Sequence, residues 1–116
     1  MLGDDTVRRN IIELVEPDAI YFMKGFYSLT HCEQKIITFL LGQEDKTYFG
    51  TNSSLGVEMG EKWSYNCVVS PAMKHLEKEG IVIQHAPSKW YHRRIELCED
   101  WIERLVKIGK KYEHHV

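Results

Sequence analysis

With 116 residues, 43% of them hydrophobic and 28% charged, the chain has room for one core and the composition of a globular domain, which excludes a disordered chain and a second folded domain. No apolar run nears the roughly 18 residues that span a bilayer, and the opening Met1 to Asp5 is acidic, so neither a membrane span nor a signal peptide is expected and the predicted address is cytoplasmic. The net charge of −2 is unevenly spread: residues 1–62 carry −4, residues 63–97 carry +2 and residues 98–116 balance, so the positive excess is local and modest.

In chain order, Val7, Ile11, Leu14 and Val15 form one apolar face and predict an amphipathic helix over 5–15, with Pro17 just beyond its end. Thr30 and Glu33 form a T-x-x-E capping box ahead of Ile36, Ile37, Phe39, Leu40 and Leu41, which predicts a core helix over about 30–42 closed by Gly42. Lys46 to Gly50 is short, aromatic and bounded by turn residues, as an isolated strand would be. Asn52, Ser53 and Ser54 can cap a short helix from Leu55 to Met59, ended by Gly60. Val69, Ala72, Met73 and Leu76 fall at i, i+3, i+4 and i+7, the stripe of a helix that Gly80 closes. Ile81–Gln84 and Trp90–Leu97 read as two strands of a hairpin whose tip contains Pro87. Trp101, Leu105, Ile108 and Tyr112 make a heptad-like seam on a terminal helix over about 98–113, a seam that requires a partner surface.

The fold class predicted is therefore mainly α with a small antiparallel β-hairpin or sheet. The order helix, strand, helix, helix, strand, turn, strand is that of a winged helix-turn-helix with extra N- and C-terminal helices. Within it, VSPAMKHLEKEGIV (69–82) resembles the recognition helix and the start of the wing in MarR-type transcriptional regulators, and the similarity extends over 29–97. The resemblance implies a homodimer built by the terminal helices and a third core helix lying in the major groove. One departure is Pro71, where such proteins often carry a basic residue. An unbroken helix through it would cost about 3 kcal/mol or more. Either the helix begins with Ser70 as N-cap and Pro71 in the first helical position, or it begins near Ser64 and is kinked; the kinked form is favoured, because Ser64 is also a good cap.

Burying Val69, Ala72, Met73 and Leu76 turns Tyr65, Asn66, Ser70, Lys74 and His75 outward, with Ser64 at the start of the helix. These residue types suit DNA: Asn can pair with adenine, Ser and Tyr can donate to phosphates or base edges, and Lys can neutralise a phosphate. On the hairpin, alternation sets Tyr91 and Arg93 on one face and Trp90, His92 and Arg94 on the other; with Lys89 they form a cationic wing for flanking backbone. The expected function is thus binding of double-stranded DNA by a small, repressor-like homodimeric regulator whose subunits meet through Trp101, Leu105, Ile108 and Tyr112. No residue identifies an effector ligand. Bland readings compete: a solvated helix face, an edge strand guarded by cations, and Trp63 and Trp90 as core anchors.

Other chemistries find less support. Cys32, Cys67 and Cys98 are odd in number and lack a CxxC pair, which argues against a disulfide framework or structural zinc, and the six histidines lack metal-ligand spacing. No phosphate loop, nucleophile elbow or HExxH is present, so no enzyme and no cofactor is expected. The alternatives are a plasmid or phage replication initiator, which the stretch Leu29 to Ile37 resembles at its opening, and a winged domain used for protein contacts.

Overall fold

Residues 18–60, 68–85 and 92–113 are described by the computed structural model. In chain order they form α1 (Asp18–Ser28), α2 (His31–Leu41), a 3₁₀ turn (Glu44–Lys46), β1 (Thr47–Gly50), α3 (Asn52–Met59), α4 (Ser70–Lys78), β2 (Val82–Gln84), β3 (Arg93–Leu97) and α5 (Trp101–Glu113). The expected helix over 5–15 lies outside the described residues. The three strands make one antiparallel sheet in the order β1-β3-β2, with Phe49 opposite Arg94 and Ile83 opposite Glu96. Mainly helical elements around a small antiparallel sheet are the fold class that the sequence predicts.

Local chemistry starts each helix. Thr30 Oγ1 accepts the Glu33 N–H at 3.2 Å while Glu33 Oε1 accepts the Thr30 N–H at 2.9 Å, so the capping box forms in full at the head of α2. At α3 the cap is Thr51, one residue before the expected trio: its hydroxyl accepts from the Ser54 N–H at 3.0 Å and Ser54 Oγ accepts from the Thr51 N–H at 2.9 Å. The α-helical part of α4 begins at Ser70 with Pro71 in its first turn, and the preceding Val68 and Val69 are wound as a π turn. Pro71 has no N–H and clashes with an α-helical carbonyl four residues back, and a π turn is one of the few local distortions that accommodates such an interruption. The α-helical portion thus starts at Ser70 behind a distorted turn, with Val69 rather than Ser70 as its cap, and the expected start near Ser64 lies outside the described residues. Gly80, at φ +77°, ends α4 in a left-handed cap, with the Ile81 N–H returning to the Leu76 carbonyl at 2.9 Å.

Helix α1 is absent from the sequence expectation, which used Pro17 only as a stop. It buries Phe22, Gly25 and Phe26 against α5. The two helices touch backbone to backbone: a Cβ on Gly25 would sit 1.9 Å from the Leu105 carbonyl oxygen, and one on Gly109 would sit 1.9 Å from that of Tyr21. Close approach lets Phe22 meet Trp101 edge-on, with centroids 5.6 Å apart. Trp101, Leu105 and Ile108 are consequently buried inside the chain. This corrects the expected role of the seam: the partner surface it requires is α1 of the same chain, and the Tyr112 side chain lies outside those described.

Alanine at an exposed helical glycine ordinarily stabilises by about 1 kcal/mol. At Gly25 or Gly109 the sign should reverse, with a loss of about 1–3 kcal/mol from overpacking, read as a lower urea midpoint and a Tm reduced by roughly 4–8 °C per kcal/mol.

Candidate nucleic-acid interface

Helix α4 turns Val69, Ala72, Met73 and Leu76 into the core and leaves Pro71, Lys74, His75, Glu77 and Lys78 exposed, with Ser70 half-buried. The predicted stripe is thus the observed one. Lys78, one turn beyond Lys74 on the same side, joins the exposed cations although the sequence reading passed over it; the i, i+4 spacing was the available signal. Ser64, Tyr65, Asn66 and Lys89 lie outside the described residues.

His75 has a second engagement. Its Nδ1 donates to Glu33 Oε2, and its Nε2 lies 3.6 Å from Glu79 Oε1. Glu33 is only 3% exposed, and its other oxygen is held by the Thr30 N–H of the capping box. One buried carboxylate therefore closes the head of α2 and ties α4 to it. His75 can offer a ligand only the Nε2 edge of its ring.

Beside this tie, an open groove of about 550 Å³ runs between the starts of α2 and α4, lined among others by Ser28, Thr30, Cys32, Pro71 and His75. Cys32 lies almost fully buried there, and burial, reinforced by the Glu33 charge, pushes its thiol up from 9.0 to about 11. It is a protonated packing group at neutral pH, unsuited to nucleophilic chemistry. Among the described residues no group of three or more His, Cys, Asp or Glu could hold a metal ion. None of their helices is long and apolar enough to cross a membrane.

The hairpin strand separates its two arginines. Arg94 and His92 are exposed, whereas Arg93 is 6% exposed and faces inward. Its Nε donates to Gln84 Oε1 at 2.9 Å, its Nη1 to the Gly50 carbonyl at 3.1 Å and its Nη2 to Asn52 Oδ1, which bolts β3 to β2, to the end of β1 and to the head of α3. Burial pulls its pKa below the ordinary value, with Glu77 and Tyr48 opposing the shift. The expected role of Arg93 on a DNA backbone is thus corrected: a guanidinium that faces inward, 6% exposed and held by three internal acceptors, is out of reach of a phosphate. The sequence held the clue, since Arg93 shares strand parity with Ile95 and Leu97, both buried. Of the residues expected at the interface, the structure leaves Lys74, His92 and Arg94 exposed, with His75 partly engaged and Ser70 partly covered.

Two measurements check this division. Arg93→Ala should lower stability by about 2–4 kcal/mol, because Asn52, Gln84 and the Gly50 carbonyl lose their donor, while Arg94→Ala should stay within about 0.5 kcal/mol of the parent in urea unfolding. The raised Cys32 thiol should make stability fall as pH rises from 9 to about 11, since the unfolded chain loses that proton first; below pH 9 this group contributes no pH dependence, and Cys32→Ala should remove the alkaline decline.

No protein-family model, curated protein or solved structure matches the chain.

Proposed function

We propose that the protein binds double-stranded DNA as a small, repressor-like transcriptional regulator, laying the exposed side of α4 in the major groove. The observation that carries this reading is the solvent-facing polar side of α4: Lys74, His75 and Lys78 stand on it while Ala72, Met73 and Leu76 anchor the helix from behind. A helix held rigidly at a surface with cations on its free side is what groove docking requires. Arg94 and His92, on the outer side of β3, supply contacts to flanking backbone.

Two-fold assembly would set two copies of α4 about one helical turn apart on the duplex. Since Trp101, Leu105 and Ile108 are engaged within the chain, the face offered to a second copy is that of α1, where Ile20 and Tyr27 are both exposed and seven residues apart.

Duplex binding is expected to weaken steeply with added salt. Lys74→Ala and Lys78→Ala together should weaken it at least tenfold and reduce the slope of log affinity against log salt by about two, and Arg94→Ala should reduce that slope by about one. Binding insensitive to salt and to these substitutions would overturn the assignment.

A further inference from the structure

The outer side of α5 is more strongly cationic than that of α4. Among its described side chains the exposed ones are Glu103, Arg104, Lys107, Lys110 and Lys111, four cations against one acid in a chain whose net charge is −2. Arg104, Lys107 and Lys111 fall at i, i+3 and i+7, which sets them in a row about 10 Å long on one side of the helix. None of the three enters an ion pair with a described residue, Glu103 included. Lys110 stands apart from the row, with its Nζ 5.6 Å from the centre of the Tyr21 ring on α1.

The row begins where α4 ends. A Cβ on Gly80, the left-handed cap of α4, would lie 3.2 Å from Arg104 Nη1 and 3.3 Å from its Cζ, so the guanidinium rests on that helix terminus. Lys78 stands two residues before Gly80, and Lys74 one turn before Lys78. The acids of α4 lie to either side of these lysines: Glu79 approaches His75 Nε2 at 3.6 Å on one flank, and Glu77 acts on Arg93 on the other. Lys74, Lys78 and the α5 row therefore join through Arg104 into one cationic track.

What surrounds the row selects its partner. Every large apolar side chain described on α5 is turned inward: Trp101, Leu105, Val106 and Ile108 are buried and Ile102 packs against the core. A protein partner would call for an apolar centre to the contact, and a helix lying on a membrane holds its apolar side toward the lipid, whereas that side of α5 is spent on the chain's own core. A phosphodiester backbone asks for charge alone.

We infer that the Arg104, Lys107 and Lys111 side of α5 is a second contact for the phosphate backbone of duplex DNA, continuing beyond the end of α4. This rests on the duplex reading of α4 and enlarges its footprint. The test is fluorescence anisotropy of a labelled duplex titrated at several salt concentrations, with circular dichroism confirming that each variant is folded. Lys107→Ala with Lys111→Ala should weaken binding about tenfold and lower the slope of log affinity against log salt by about two, while Lys107→Arg with Lys111→Arg should preserve both. Combined with Lys74→Ala and Lys78→Ala, the α5 pair should lower the slope by about four, since both sets act in one complex. Lys35→Ala, at an exposed position on α2, should leave the slope unchanged, which separates contact from overall charge. Duplex binding by the parent with a slope that the α5 pair does not alter overturns the inference and spares the reading of α4; no duplex binding by the parent overturns both. Binding to vesicles of phosphatidylcholine and phosphatidylserine that the α5 pair abolishes, with the duplex slope unaltered, would assign the row to a membrane surface and also overturn the inference.

Discussion

Glu33 sits where two requirements meet. Its carboxylate must satisfy the free N–H at the head of α2, and it must also find a partner for its second oxygen because the side chain is cut off from water. His75 of α4 supplies that partner, so the same atom group that lets the first core helix begin also fixes where the exposed helix lies on it. The surface side of α4 inherits its position from this tie and from the apolar stripe beneath. Loss of the carboxylate would loosen both helices together, which no single contact on the exposed side of α4 could do.

A second constraint acts at the other end of the molecule. The glycine contact between α1 and α5 allows two aromatic-rich helices to close on each other and to take Trp101 and Leu105 out of solvent. Near the sheet, Arg93 performs the corresponding task with polar atoms, joining three elements whose carbonyl and amide oxygens would otherwise lack donors. The exposed side chains of α4 and the outer sheet face are thus carried by a frame whose own polar groups are internally matched.

How far this was readable from the amino-acid sequence follows the range of the forces involved. Thr30 with Glu33, and the spacing of Val69, Ala72, Met73 and Leu76, act within one or two turns, so the helices they specify were legible. Helix α1 was passed over although Phe22, Gly25, Phe26 and Leu29 keep the same i, i+3, i+4, i+7 spacing: glycine within the stripe lowers helix propensity and offers no apolar side chain, and its use becomes plain only when Gly109 is known to lie against it. The terminal seam was correctly seen to require a cover, but the choice between another copy and the chain's own α1 depends on a contact that local pattern does not encode. Arg93 was misjudged for the opposite reason, since its charge outweighed a strand parity that was plainly written. The exposed cations Lys74 and Arg94 were legible because alternation and helical period alone decide which way they point.

The pairing of α1 with α5 has a kinetic side. The 72 residues between Ser28 and Trp101 must be made before the surface that covers Phe22 and Phe26 exists. During synthesis the capping boxes can form from neighbouring residues, whereas the pairing of β1 with β3 and the cover for α1 both await the C-terminal segments. Closure of the helix pair is then a late event, and Phe22 and Phe26 lack their cover until α5 has been made.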